Sequence, residues 1–176
     1  VTQYLFQNHQ DRFQKILDRM KERVPGITNV QATQTEDGRI VLRFSDGAFK
    51  DPFISRFVSD GTLRMFAYLV LLNDPNPHPL LAIEEPENQL YPTLLPQLAE
   101  EFRDYADRGS QVLISTHSPD FVNALKVEEL FWLEKRHGVT TIKRASDDPN
   151  IRTLEKAGDP LGALWKQGIF GGIDPQ

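Results

Sequence analysis

Cysteine is absent from these 176 residues, which excludes disulfides and thiolate metal sites and is compatible with a reducing compartment. Long apolar runs are missing as well. The longest, such as Phe66 to Leu72, is far too short to cross a bilayer, and no signal peptide is visible, so a cytoplasmic protein without membrane contact is expected. Positive charge is not in excess. Twenty Lys and Arg stand against 25 Asp and Glu, and the net charge of −5 excludes a globally basic nucleic-acid binder while leaving a local basic face possible. There is no internal repeat and no low-complexity segment. The chain opens on Val1 rather than Met, from which a piece of a longer protein is expected.

What is present fits one compact domain, with 39% hydrophobic and 26% charged residues. Phe6, Phe13, Ile16, Leu17, Met20 and Val24 recur at helical spacing among polar residues, predicting one amphipathic helix that ends near Pro25-Gly26. Arg12, Lys15, Arg19, Lys21 and Arg23 lie along it; such a run is ordinarily a solvated face, with DNA phosphates as the functional option. Val30 and Ala32, a turn at Asp37-Gly38, then Ile40, Leu42 and Phe44 predict a β-hairpin. Leu63, Phe66, Ala67, Val70 and Leu71 predict a largely buried helix.

Leu80-Leu81-Ala82-Ile83, closed by Pro86, reads as a strand buried on both faces of a parallel sheet. Thr93 is the expected cap of the next helix, with Pro96 in its first turn and Leu95, Leu98, Phe102 and Tyr105 facing inward. Val112-Leu113-Ile114 repeats the buried-strand pattern, and strand, helix, strand implies a right-handed crossover in an α/β sheet. Leu130 to Leu133 and Val139 to Lys143 predict two strands joined at His137-Gly138, and the Asp, Pro and Gly of 145–160 predict a loop. The Leu164-Trp165 and Ile169-Phe170-Gly171-Gly172 stretches are expected to tie down the tail through their aromatic residues.

Three groups carry chemistry. Glu84 and Glu85 stand where the chain leaves the first buried strand, the edge at which open α/β sheets bind ligands. Burying an unpaired carboxylate is costly, so two of them there point either to a cation or proton-transfer role or to a solvated turn. His117, within Ser115-Thr116-His117-Ser118-Pro119, leaves the second strand at the same edge and has the chemistry to donate to a transferring phosphoryl group. Val58-Ser59-Asp60-Gly61-Thr62 opens the buried helix, where free N–H groups and a positive dipole end suit a phosphate; a plain helix cap is the alternative. His9, His78 and His137 have no ligand spacing.

In their order along the chain, these residues resemble the ABC-type ATPase head of the SMC, RecF and OLD-like group of predicted ATPases. Ser59 and Gly61 match the signature motif, with Asp60 in place of its first Gly. Leu80 to Pro92 is similar to the Walker B strand and D-loop, and His117 to the switch histidine. The resemblance covers residues 58–119 and extends loosely upstream. It implies an α/β fold, the C-terminal lobe of a P-loop NTPase with a parallel-sheet core, flanking helices and peripheral β-hairpins. One partial domain is then expected, divided into 1–57, 58–125 and 126–176. The group usually has Asp at the position of Glu84.

For function, the resemblance implies that Glu84 holds Mg²⁺, that Glu85 orients the attacking water and that His117 stabilises the phosphoryl group. Ser59, Gly61 and Asn88 would contact ATP, the first two on a nucleotide held by a second head. No Lys in this chain precedes Ser or Thr, so the phosphate-cradling P-loop must come from an N-terminal Walker A lobe. The implied activity is ATP hydrolysis by a parent in which heads dimerise, this piece alone being inactive. DNA repair, chromosome maintenance and defence are the expected settings, with DNA a possible partner. A non-catalytic dimerisation module with degenerate motifs is the alternative. A transporter subunit fits less well, because transporter D-loops are Ser-rich and end in Asp, where this chain has Glu87-Asn88-Gln89-Leu90.

Overall fold

The computed structural model describes residues 1–171, so Gly172 of the tail motif lies outside the described residues. The described residues form two compact units, one of residues 1–83 and 88–114 and one of residues 84–87 and 115–171.

In the first unit, α1 (Thr2–Asn8) and α2 (Gln10–Arg23) replace the single long helix expected from the periodicity. His9 interrupts it at φ −139° and ψ 57°, outside the helical region, while its N–H still bonds to Leu5 O and its carbonyl still receives Phe13 N–H. The apolar stripe therefore continues across the break, and Leu5, Phe13, Ile16, Leu17 and Met20 are all buried. That stripe packs on the hairpin of β1 (Ile27–Gln34) and β2 (Ile40–Asp46), antiparallel as expected, with Gly38 at φ +81° in the turn. A short β3 (Phe53–Ile54) adds to β2, an element the sequence pattern does not announce. Next, α3 (Asp60–Leu72) buries Met65, Leu69 and Leu72 against its neighbours. Tyr68 meets Phe102 edge to face at 5.9 Å.

β4 (Leu80–Glu84) pairs with β5 (Gln111–Ser115), and α4 (Leu95–Ala106) connects them. Gln111 N–H bonds to Pro79 O before β4, and Glu85 N–H after β4 bonds to Ser115 O, so start meets start and end meets end in a parallel pair. Burial on both faces, expected for these strands, is not met. Leu80 and Leu113 are 54% and 62% exposed, and exposed positions alternate with half-buried ones along both strands, so one face of each has no layer packed on it among the described residues. The inward set of α4 is as expected, with Leu95, Leu98, Phe102 and Tyr105 buried. Thr93 is not its cap. A 3-10 turn (Pro92–Leu94) feeds the chain into α4, which makes no side-chain cap bond.

The basic run of α2 is largely engaged inside this unit. Arg19 and Arg23 close on Glu101 of α4, whose side chain is 1% exposed; Arg12 reaches Asp74 O, and Lys21 pairs with Asp18. Burial holds the Glu101 carboxyl above its ordinary value, an effect that Arg19 and Arg23 oppose.

The second unit contains α5 (Pro119–Val122), the hairpin of β6 (Phe131–Arg136) and β7 (Val139–Arg144), α6 (Pro149–Lys156) and α7 (Leu161–Lys166). The hairpin turns at His137 (φ +50°) and Gly138 (φ +81°), two left-handed residues in a row as a tight primed turn requires. The expected loop over 145–160 is mostly helix. Asp148 accepts from the N–H groups of Asn150 and Ile151, and Pro149 follows as the first helical residue, so Asp and Pro here start α6. Val122, Leu130, Trp132, Ile151, Leu161, Leu164 and Phe170 form one core. Phe170 meets Trp132 edge to face at 5.3 Å, which anchors the tail by about 1 kcal/mol beyond its burial.

Candidate functional site

The strand exits place the first set of side chains. β4 ends at Glu84, which is exposed, and Glu85 follows in the left-handed region at φ +44°, a conformation that residues other than Gly, Asn and Asp seldom adopt. Its N–H donates to Ser115 O at 2.8 Å, so the exit from β4 is bonded to the exit from β5. Two residues on, Glu87 Oε1 accepts from the Thr116 hydroxyl at 2.5 Å, and the same hydroxyl oxygen accepts from Ser118 N–H at 3.0 Å. Ser118 in turn caps α5 by accepting from Phe121 N–H at 3.2 Å. His117 sits exposed between Thr116 and Ser118. Glu84, Glu85 and His117 thus belong to one unit and to two segments that hydrogen-bond to each other.

A second set lies in the other unit. Ser59 is the N-cap of α3, its Oγ accepting from Thr62 N–H at 3.2 Å and sharing a 2.9 Å bond with Thr62 Oγ1. Asp60 is exposed in the first turn. Gly61 meets the segment after the acid pair so closely that a Cβ there would lie 2.5 Å from Gln89 O. Arg64 reaches Gln89 Oε1 at 3.3 Å, and Gln89 is itself left-handed at φ +66°. Asn88 is exposed next to it. The helix start and the Asn88-Gln89 turn are therefore one local structure.

Glu87 and Gln89 carry only a weak signal in the sequence: an acid two residues past Glu85, and a threonine beside the histidine of the neighbouring strand. Among the described residues, no cluster of three or more His, Cys, Asp or Glu side chains is placed to hold a metal ion. An exposed carboxylate such as Glu84 fits Mg²⁺, which keeps several waters and takes one or two carboxylates together with substrate phosphates. No helix among the described residues is long and apolar enough to cross a membrane.

Residues 2–123, which include both sets, match the family model described as "AAA domain, putative AbiEii toxin, Type IV TA system". The chain belongs to this AAA domain family. No curated protein sequence matches it. Among solved structures, this AAA domain is similar to one described under the structural biochemistry of ATP-driven dimerization and DNA-stimulated activation of SMC ATPases, at 13% identity over 90% of this chain and 98% of that one, with a TM-score of 0.63. The Smc head of Pyrococcus furiosus bound to the C-terminal domain of ScpA gives 12% identity, 90% and 40% coverage and a TM-score of 0.61. The SMC head from Thermotoga maritima gives 13%, 81% and 50%, and 0.56. At such identities the likeness is one of fold, that of a P-loop NTPase. The AAA domain spans nearly all of the first relative and half or less of the other two.

Proposed function

We propose that this AAA domain is the Walker B and signature part of an ATP-hydrolysing head, completed by a segment that carries the phosphate loop and by a second head. The observation that carries this reading is the bonding of the two strand exits, which brings a left-handed Glu85 and an exposed His117 onto two paired segments. In support, Leu80 and Leu113 leave an apolar face of the β4–β5 pair without a packed layer, and among the described residues the sheet has two strands only, so a P-loop lobe would both cover and extend it.

In the assembled head Mg²⁺ would supply charge neutralisation on the ATP phosphates, with the Glu84 carboxylate holding its hydration shell. Glu85 accepts a hydrogen bond from the attacking water and holds it in line, and His117 donates to the phosphoryl oxygens as charge develops. Ser59 and Gly61 offer the N-terminal end of α3 to a nucleotide held by the partner head, beside Asn88. DNA remains the candidate larger ligand, with work in chromosome maintenance, repair or defence in the cytoplasm.

The test is Glu85→Gln in the assembled ATPase. ATP should still bind and dimers accumulate while turnover falls by about 10²-fold or more; unchanged turnover would remove Glu85 from the role. By calorimetry the 176-residue chain alone should bind ATP only weakly, and tight binding would count against a missing phosphate loop.

A second reading, a non-catalytic dimerisation module, draws on Ser59 and Gly61. Local structure accounts for both, Ser59 as a helix cap and Gly61 by its close approach to Gln89 O. ATP-independent dimers with no turnover would favour it.

A further inference from the structure

We infer that Glu87 is a positioning residue that presents His117, acting through the hydroxyl of Thr116. The inference rests on the proposed role of His117. A hydroxyl has one proton and two acceptor sites. Thr116 gives its proton to Glu87 Oε1 at 2.5 Å and accepts Ser118 N–H at 3.0 Å. With the proton committed to the carboxylate, the oxygen lone pairs face the backbone N–H two residues on, the geometry of a Thr turn. His117 is the middle residue of that turn. On its far side Ser118 caps α5, and on its near side Ser115 O is held by Glu85 N–H. The backbone carrying the imidazole is thus fixed by three consecutive hydrogen bonds, and a carboxylate orients the hydroxyl of the middle one.

Stability alone does not explain an acid here. Glu87 Oε2 is shielded from solvent and has no hydrogen-bond partner in the structure, an unfavourable state for a carboxylate that a hydroxyl at the same place would lessen. What the carboxylate provides is a strong, one-directional acceptor. It forces Thr116 to donate toward it, where a neutral hydroxyl partner would allow the proton to rotate toward either side. Glu87 also lies two residues from Glu85 on the same exit segment, so one short stretch sets both the water-orienting acid and, through Thr116, the histidine.

Two measurements test this. In the nucleotide-free chain, hydrogen exchange at the Ser118 amide should accelerate in E87A and T116V and stay near wild type in E87Q and T116S, with the Leu98 amide in α4 as an unaffected reference. In the assembled ATPase, E87A and T116V should lower kcat about tenfold with KM for ATP little changed, the loss expected when one charge-assisted hydrogen bond is removed from the support of a reacting group. E87Q should recover most of it, because its amide oxygen still accepts from Thr116. If Glu87 acts through His117, E87A adds nothing to H117A. Equal exchange in all four variants, or an E87A effect that multiplies with that of H117A, overturns the inference. Should H117A itself leave kcat untouched in an active enzyme, the role proposed for His117 fails instead, and the exchange data still report whether the turn depends on Glu87.

Discussion

Replacing Gly162 with Ala should unfold the second unit at a distinctly lower temperature. A Cβ at this position would lie 2.0 Å from Pro119 O, 2.7 Å from Pro119 C and 2.8 Å from Asn123 Oδ1. Side-chain carbons do not approach other atoms within 3.0 Å, so the α5 backbone would have to retreat by the difference from 2.0 Å, roughly 1 Å in a packed core. The same shift would stretch the 2.7 Å bond from Gly162 N–H to Asn123 Oδ1. Overpacking costs about 1–3 kcal/mol and the weakened hydrogen bond about 1 kcal/mol, against a helix-propensity gain for Ala of at most about 1 kcal/mol. The net loss of about 2 kcal/mol corresponds to a fall in Tm of roughly 8–16 °C if the second unit melts by itself and roughly 4–8 °C if the whole chain melts together. Trp132 and Trp165 are the only tryptophans and both lie in this unit, so thermal denaturation followed by tryptophan fluorescence reads it directly. Gly47→Ala is the control. Its Cβ would meet only Thr28 Cγ2 at 3.6 Å, an ordinary contact, and its φ is unexceptional. If Gly162→Ala melted at or above the wild-type temperature, the close approach of α7 to α5 would not be what the glycine serves. The change would also displace Pro119, two residues after His117, so turnover of the assembled ATPase should fall with it.

Glu101 provides a pH test. Burial holds its carboxyl above the ordinary value of 4.5, so between that value and its folded one the native state binds the extra proton. Its contribution to stability therefore falls as pH rises through that window. Glu101→Gln cannot ionise, so its Tm relative to wild type should improve from pH 4 to pH 7; a constant difference would show that Arg19 and Arg23 fully offset the burial. Ser59→Ala should cost about 1 kcal/mol through loss of the α3 cap. Thermal denaturation together with ATP-dependent dimerisation of the assembled heads separates the two readings of this residue. Lost stability with normal dimers leaves Ser59 a cap, whereas weakened dimers at matched stability support the nucleotide contact.

The parts of the fold legible in the sequence were those set by local rules. Helical spacing located α2, α3 and the inward face of α4, and the Asp37-Gly38 and His137-Gly138 turns gave both hairpins, because side-chain period and turn chemistry act over a few residues. The same rules misled where one residue type serves two purposes. Asp148-Pro149 starts a helix, although Asp and Pro also mark loops, and Thr93 sits in a 3-10 turn where a cap was expected. Burial of β4 and β5 departs from the apolar pattern for a different reason: an apolar run records what a strand can pack against, and among the described residues one face of each strand has nothing packed on it.

Sequence alone determined which side chains stand at the strand exits, since an apolar run followed by Glu84-Glu85, and another followed by Ser115-Thr116-His117, fixes those positions by connectivity. Tertiary structure decided how they are held. The left-handed turn at Glu85, the Glu87 to Thr116 to Ser118 chain of hydrogen bonds, and the approach of Gly61 to Gln89 O join residues about 30 positions apart. No local periodicity encodes such pairs: the first two need the parallel pairing of β4 and β5 to bring two distant exits side by side, and the third needs the start of α3 to meet the turn after β4.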